Sequence, residues 1–219
     1  MQLRADFAVT EAVDLAAVDW VASPMPGVER KLLDRIGDEV ARATSVVRYA
    51  PLSRFSAHTH DGGEEFLVLE GTFGDEHGRY PRLTYVRNPP GTSHSPIVED
   101  GCVILVKLRQ FAADDLTPVC LDTARDAGWQ TVAPDRKRLH LHRHGPEVVG
   151  LERLGAGATL ERVAQSGGLE LFLVEGRLDV AGREHAAWSW FRLPAGATFR
   201  ARSLAPCLLY VKEGHLPAA

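Results

Sequence analysis

The 219-residue sequence has few cysteines, no long apolar run and no excess of basic residues. Its three cysteines, Cys102, Cys120 and Cys207, contain no Cys-x-x-Cys pair, which excludes a disulfide framework and a zinc ribbon. No apolar stretch reaches the roughly 18 residues that a membrane-spanning helix needs. The N-terminal residues lack the charged region and apolar run of a secretory signal. Together these absences predict a cytoplasmic protein.

The charge balance argues against a polyanionic partner. The formal charge is −4, from 25 lysines and arginines against 29 aspartates and glutamates, and the basic residues form no stripe. With 45% hydrophobic and 25% charged residues, the chain can fold as one large domain or two smaller ones. We therefore expect neither nucleic acid nor a membrane as a partner.

Short β-strand patterns dominate the sequence. Six apolar runs, each bounded by Gly, Pro, Asp or Ser, have spacings typical of an all-β barrel or sandwich. These runs are TSVVRYA, EEFLVLEG, CVILVKL, VVGLERL, LELFLVEG and CLLYVKE. Residues 10–22 suggest a short helix with Thr10 as its N-cap. The expected fold is therefore all-β with little helix.

An internal repeat appears when each residue is aligned, without gaps, with the residue 105 positions later. The aligned blocks are GGEEFLVLEG (62–71) with GGLELFLVEG (167–176), RNPPGTS (87–93) with RLPAGAT (192–198), and GCVILVK (101–107) with PCLLYVK (206–212). The identities fall on turn glycines, prolines and strand ends, where backbone geometry restricts the residue type. The sequence thus predicts two copies of one β-domain, residues 1–115 and 125–219, joined within 111–128.

Four potential metal ligands cluster in the first copy. His58 and His60 are two positions apart on a predicted strand, so their side chains point the same way, about 7 Å apart. Glu64 follows a Gly-Gly turn and is expected to open the adjacent antiparallel strand, about 5 Å away. A proline-glycine turn delivers His94 from a different strand. Three imidazoles and one carboxylate suit a divalent transition metal in a preformed pocket, with Glu65 as the competing carboxylate.

The spacing of these residues resembles the two cupin motifs. The first motif reads His-Thr-His-x3-Glu-x6-Gly, from His58 to Gly71, and the second reads Pro-x-Gly-x2-His and ends at His94. The wider segment VRYAPLSRFSAHTHDGGEEFLVLEGTFGDEHGRYP is similar to ChrR-like cupins, named after the metal-binding domain of ChrR-type anti-sigma factors. The resemblance covers residues 25–111 well and the second half as a degraded copy. Leu52 and Val98 depart from the usual glycine and asparagine.

The resemblance implies two tandem double-stranded β-helix (cupin, or jelly-roll) barrels, the first holding a metal through His58, His60, Glu64 and His94. At the offset of 105, none of the four positions in the second copy carries a metal-binding side chain. The offset replaces His58 by Val163, His60 by Gln165, Glu64 by Leu169 and His94 by Phe199. We expect one metal per chain, and a second barrel that is filled by side chains, with WSWF (188–191) adding bulk. That barrel would support the first by packing or through a homodimer interface.

The other histidines are expected to be exposed to solvent. HLHRH (140–144) is typical of a half-buried strand with its three histidines on the solvent side. The isolated His77, His185 and His215 are likewise expected at the surface.

Two further pairs of residues are assigned to the interior. Cys102 and Cys207 are matched by the repeat and are expected to be small side chains in buried strands. Phe66 and Val68 share the strand face of Glu64 and are expected to line an apolar mouth of the metal pocket.

The resemblance favours metal-dependent chemistry on a small organic molecule. Similar cupins use iron for oxidative C–C cleavage, so dioxygenase activity is the leading subtype, with no catalytic residue assigned beyond the ligands. Iron or zinc is the expected metal, and manganese or nickel are alternatives. The rival hypotheses are a ligand- or oxidant-sensing regulatory cupin and a storage-type cupin. No cysteine precedes Cys102, and the N-terminal segment is too short for a zinc-binding anti-sigma domain. A sigma factor is therefore not the expected partner.

Overall fold

The computed structural model describes residues 1–38, 40–125 and 128–217, and nearly all of their regular structure is β-strand. The first fourteen strands are β1 (Gln2–Leu3), β2 (Glu11–Asp14), β3 (Val21–Ala22), β4 (Val28–Ile36), β5 (Arg42–Tyr49), β6 (Ser53–Arg54), β7 (His58–Thr59), β8 (Glu64–Asp75), β9 (Gly78–Pro81), β10 (Thr84–Asn88), β11 (Ser93–His94), β12 (Ile97–Val98), β13 (Cys102–Leu108) and β14 (Val119–Asp122). The last ten are β15 (Gln130–Ala133), β16 (Arg136–His144), β17 (Glu147–Leu154), β18 (Thr159–Val163), β19 (Leu169–Glu175), β20 (Arg177–Val180), β21 (Arg183–Ala186), β22 (Ser189–Leu193), β23 (Thr198–Ser203) and β24 (Cys207–Glu213). Over these ranges, the chain forms no helix with the length and apolar character needed to span a membrane.

The helix expected at residues 10–22 does not form. This segment contains β2, a 3-10 turn (Leu15–Ala17) and β3. Val13 and Leu15 are both buried while Ala12 is exposed, which is the two-residue period of a strand. β2 pairs with β22 along four residues, and these ladder hydrogen bonds outweigh the weak helix signal of Thr10.

The chain divides into two compact units. Unit 1 contains Met1–Ala5 and Val18–Asp126, and unit 2 contains Asp6–Ala17 and Ala127–Ala219. The expected domains, 1–115 and 125–219, differ from this division in that segment 6–17 belongs to unit 2. The reason is the pairing of β2 with β22, which joins the segment to the larger sheet of that unit.

Unit 1 contains a large antiparallel sheet with the strand order β1-β4-β5-β13-β8-β10-β14, to which β3 and β9 are attached. Two short ladders, β7 with β11 and β6 with β12, complete it. Among the described residues the ladders form separate sheets and do not close into one barrel. The apolar core draws its side chains from β4, β5, β8, β10, β12 and β13, and includes Cys102.

Unit 2 repeats this plan as a seven-stranded sheet, β15-β16-β17-β24-β19-β22-β2, with a four-stranded sheet, β18-β23-β20-β21. Its core joins residues of both sheets, such as Leu171 and Leu209 from the first and Leu160 and Phe199 from the second, and includes Cys207. Leu169 and Phe199, which replace Glu64 and His94, are both buried there. Apolar side chains therefore fill this part of unit 2, as expected.

The repeat extends to irregularities of the backbone. In unit 1, β8 carries one extra residue, Leu69, where it pairs with β13. In unit 2, β19 carries one extra residue, Val174, where it pairs with β24. The two bulges lie 105 positions apart, so the same offset relates both the sequences and the strand registers.

The gap-free offset is nevertheless wrong for two of the four replaced ligands. His94 pairs with His58 in unit 1, whereas Phe199 pairs with Arg162 and not with Val163. The amide of His60 donates to the Thr92 carbonyl, and the matching bond in unit 2 comes from Ala164. The structural counterparts of His58 and His60 are therefore Arg162 and Ala164, because unit 2 has one more residue in the following turn. Neither residue offers an imidazole or a carboxylate.

Candidate metal centre

Three histidines of unit 1 converge at one point. His58 and His94 are directly paired across the β7–β11 ladder, and His60 follows β7 with its amide bonded to the Thr92 carbonyl. The ring centroids lie 4.7 to 5.1 Å apart. One nitrogen of each ring lies within 4.8 Å of the other two. His60 and His94 are buried, while His58 is exposed.

Glu64 completes the cluster from the first position of β8. Its Oε2 lies 3.4 Å from His60 Nε2 and 3.6 Å from His94 Nε2, and it accepts a hydrogen bond from Asn88 Nδ2 at 3.2 Å. The strand that carries Glu64 does not pair with β7, contrary to the expectation of adjacent strands. The carboxylate is thus delivered from the large sheet, and the histidines from the short ladder.

Glu65 points away from this cluster. Successive side chains of β8 face opposite sides of the sheet, and Glu65 forms a buried ion pair with Arg87 at 2.6 Å. Asp115 binds the second nitrogen of the same guanidinium. Of the two carboxylates weighed from the sequence, Glu64 is the one beside the histidines.

Each ring donates a proton away from the cluster. His60 Nδ1 lies 3.2 Å from Thr92 Oγ1, whose own proton goes to the Pro89 carbonyl at 2.7 Å, so the threonine oxygen must accept. His94 Nδ1 donates to Asp75 Oδ2 at 3.1 Å. His58 Nδ1 donates to the Ser56 carbonyl at 3.3 Å.

In this tautomer the free lone pair of each ring is on Nε2. His60 Nε2 is buried and has no hydrogen-bond partner among the described residues. Three neutral imidazole lone pairs next to a carboxylate form a donor set of the kind that binds a divalent transition metal.

The pKa shifts reflect these surroundings. Burial lowers the pKa of His60, although the nearby Glu64 charge opposes that effect. Burial also disfavours protonated His94, but the hydrogen bond to Asp75 and the charge of Glu64 outweigh it and raise the pKa of His94. The pKa of Asp75 is lowered despite burial, because His94, the amide of His77 and the Tyr80 hydroxyl donate to its carboxylate. His94 and Asp75 therefore form an electrostatically coupled pair.

The cluster borders a cavity of about 450 Å³ in unit 1. Its lining includes His58, His60 and Glu64, together with apolar side chains from β4, β5, β13 and the loop before β7. These apolar residues are Val28, Val47, Tyr49, Phe55, Val106 and Leu108. A small organic molecule is of the size that such a space admits.

Phe66 and Val68 do not line this cavity, contrary to expectation. They are 1% and 0% exposed, and Phe66 packs against Phe73 with ring centroids 4.9 Å apart. Phe73 in turn lies 5.8 Å from the His94 ring. Both residues lie on the same strand face as Glu64, but they are deeper in the core. Phe66 supports the site indirectly, through its contact with Phe73.

Three of the other histidines are not at the surface as expected. In HLHRH, β16 has a bulge between His140 and His142, which breaks the alternation and buries His142 together with Leu141. His185 is buried against Phe191, and the His215 side chain is buried with its Nε2 3.0 Å from Glu170. His77, His140 and His144 keep some or full exposure.

Comparison with known proteins gives a family for the first half of the chain and a fold for all of it. Residues 9–112 match the family described as the ChrR Cupin-like domain. No curated protein sequence matches the chain significantly.

Solved structures match the chain over nearly its whole length. A proposed dioxygenase from Nostoc punctiforme is 17% identical, with a TM-score of 0.78 over 97% of this chain and 85% of that one. The pirin YhhW from Escherichia coli in complex with nickel(II) is 11% identical, with a TM-score of 0.67 over 96% and 100%. A salicylate 1,2-dioxygenase from Pseudaminobacter salicylatoxidans is 12% identical, with a TM-score of 0.61 over 95% and 85%. At these identities the likeness establishes the fold. Residues 9–112 therefore match the ChrR cupin-like family, within a chain of two tandem cupin-fold units.

Proposed function

We propose that unit 1 binds one divalent transition metal through His58, His60, Glu64 and His94, and that it is a metal-dependent enzyme acting on a small organic molecule. The observation that carries this proposal is the set of three imidazoles whose Nδ1 atoms are held by acceptors, so that their free nitrogens lie close together, with Glu64 beside those of His60 and His94. Three neutral nitrogens and one carboxylate suit iron or zinc, with manganese and nickel as alternatives.

Four protein ligands leave coordination positions open on an ion that prefers five or six. A metal in this site would supply Lewis acidity and, if it is iron, redox chemistry with dioxygen. Oxidative C–C cleavage is the reaction subtype that we favour. It is consistent with the cavity beside the cluster, which is large enough for a small organic substrate.

The protein itself would contribute orientation, exclusion of water and a hydrogen-bond donor. Thr92 and Asp75 hold the imidazoles in one tautomer. The apolar walls reduce the access of water to bound substrate. Tyr49 lies in the wall, and burial together with the charge of Glu64 raises its pKa, so its hydroxyl stays protonated and can donate a hydrogen bond to a bound molecule.

The family match favours a second candidate, a regulatory cupin that senses a ligand. Thiol-based sensing of oxidants is less well supported, because burial raises the pKa of all three cysteines, that of Cys102 to about 12. A thiol that stays protonated reacts slowly with oxidants. A sensor of this family would therefore respond through the metal site or the cavity.

Oxygen uptake tests the enzyme proposal. Protein loaded anaerobically with Fe(II) is mixed with diketones and hydroxylated aromatic ketones in the chamber of an oxygen electrode, beside His60→Ala treated identically. The proposal predicts substrate-dependent uptake that is lost in the variant. Equal uptake by the variant would refute a role for the site. Tight ligand binding without uptake under any metal would favour the sensor.

A further inference from the structure

Arg30 is a cation on the inner wall of the metal-site cavity. It lies on β4 two residues after Val28 and opposite Val47 of β5, and all three side chains line the cavity. Alternation along β4 places Glu29 and Lys31 on the other face of the strand. The guanidinium therefore belongs to the same space as the histidine cluster.

The other charged groups of this wall already have partners. Arg109 and Asp61 form an ion pair with a distance of 3.2 Å, and Glu64 lies beside the histidines with a hydrogen bond from Asn88. The side chain of Arg30, by contrast, makes no hydrogen bond or ion pair with any residue that the structure describes, and its Nε is buried without an acceptor. An unsatisfied buried donor costs free energy, so it is expected to find a partner in the functional state.

The chemistry of Arg30 defines that partner. A guanidinium presents planar paired donors that match a carboxylate, and such bidentate pairs are stronger than neutral hydrogen bonds. A metal bound beside Glu64 would add further positive charge, which makes the cavity attractive to an anion. The remaining walls, including Val28, Val47, Phe55 and Leu108, are apolar and suit an uncharged hydrocarbon body.

We infer that the substrate or ligand of this site is a small organic carboxylate, whose acid group binds Arg30 and whose apolar or aromatic body fills the cavity towards the histidines. The inference rests on the proposed function in that the other end of the molecule would approach the metal. Arg30 is a binding residue in this account and takes no part in holding the metal.

Calorimetric titration with paired probes tests the inference. The probes are benzoate, 3-phenylpropionate and hexanoate, each compared with its neutral amide, on metal-loaded wild-type protein, on Arg30→Gln and on Arg48→Gln. Arg48 is a matched control, because it lies on the neighbouring strand and pairs with the exposed Glu29 and the Trp20 ring outside the cavity. Thermal unfolding and metal content first establish that each variant is folded and loaded like the wild type.

At least one acid should bind wild-type protein more tightly than its amide. Arg30→Gln should weaken that binding by about tenfold or more, as loss of a charge-assisted pair does, while amide binding and the Arg48→Gln variant stay within about twofold of wild type. The inference is overturned if Arg30→Gln leaves acid affinity unchanged, or if none of the three acids binds.

The same titrations on chelator-treated protein separate this inference from the proposed function. Acid binding that depends on Arg30 in a protein that takes up no metal would sustain the inference and refute the metal proposal. Metal-dependent oxygen uptake together with a ligand affinity that does not depend on Arg30 would support the metal proposal and refute the inference about Arg30.

Discussion

At the scale of single residues, the Asp75–His94 pair controls the donor properties of the candidate metal centre. The carboxylate accepts from His94 Nδ1, from the Tyr80 hydroxyl and from backbone amides, so it is itself rigidly held. A carboxylate in this position fixes the tautomer of a ligating histidine and makes its free nitrogen more basic. His60 has the neutral Thr92 in the same role, and His58 has a backbone carbonyl.

Replacing Asp75 by Asn should weaken metal binding without removing a ligand. The amide would present an N–H to His94 Nδ1, so we expect a loss of about 10- to 100-fold in affinity, the usual cost of removing such a partner. Competition with a chromophoric chelator measures this change. Asp100→Asn is the control, since that side chain is 82% exposed and pairs only loosely with Arg79. Unchanged affinity in the Asp75 variant would contradict the positioning role.

The affinity for metal should fall as the pH is lowered, and His94 should be protonated first. Its pKa lies above the usual 6.5 and that of His60 lies below it, so protons compete with the metal at His94 before they reach His60. In Asp75→Asn the imidazolium loses its partner, the pKa of His94 falls, and the onset of proton competition should move to lower pH. A chelator titration repeated between pH 5 and about 8 tests this sign; an unchanged onset would contradict it.

The sequence was sufficient to find the ligand candidates but not their supports. His58, His60, Glu64 and His94 are found as candidates from their spacing and their resemblance to the cupin motifs, with Glu65 left as the competing carboxylate. Thr92 and Asp75 could not be recognised in the same way, because their role depends on side-chain hydrogen bonds across turns. Phe66 was misplaced because alternation gives the face of a strand but not the depth below a cavity.

At the scale of strands and turns, four glycines form two matched pairs across the repeat. Gly71 and Gly176 both have positive φ, and a Cβ at either would press against a backbone carbonyl oxygen. Gly91 and Gly196 also have positive φ, but nothing lies within 4 Å of a Cβ built there. A side chain at Gly71 or Gly176 would therefore meet both a left-handed backbone and a steric clash. At Gly91 or Gly196 it would meet the left-handed backbone alone.

Alanine substitutions should follow this difference. Gly91→Ala and Gly196→Ala meet only the conformational cost of a positive φ, about 1 kcal/mol. Gly71→Ala and Gly176→Ala add a clash with backbone and should lower the free energy of unfolding by at least about twice as much. Urea denaturation of the four variants measures the shifts in midpoint. Equal midpoint shifts for the two variants of one unit, such as Gly71→Ala and Gly91→Ala, would contradict this prediction and show that the backbone relieves the clash.

A β-bulge explains why the alternating sequence pattern predicted the wrong burial for one strand. The HLHRH strand alternates correctly up to His140, and the bulge then turns His142 inward. The unbroken offset of 105 matched the proline turns and the buried cysteines, and it also relates the two bulges of β8 and β19. It missed a shift of one residue before the turn at Gly168. A gap-free comparison cannot detect an insertion that is compensated nearby. Hydrogen-bond partners assign the counterparts correctly.

At the scale of the whole molecule, the two units share one strand plan, but among the residues that the structure describes only those of unit 1 form the ligand set. The counterparts in unit 2 are Arg162, Ala164, Leu169 and Phe199, and Arg162 is engaged by Glu152 and Glu213. The family match likewise covers residues 9–112. The fold of both halves could be predicted because turn glycines and strand patterns recur. The homodimer and the cytoplasmic location stay predictions.

Metal content tests the central claim most directly. Protein purified without chelators or an affinity tag, or reconstituted and then desalted, is analysed for transition metals beside His60→Ala. Near-UV circular dichroism verifies that the variant keeps the packing of aromatic side chains such as the buried Trp190 of unit 2. The account predicts about one equivalent of a divalent transition metal in the wild type and its loss in the folded variant. One tightly bound equivalent retained by His60→Ala, or none in the reconstituted wild type, would contradict it.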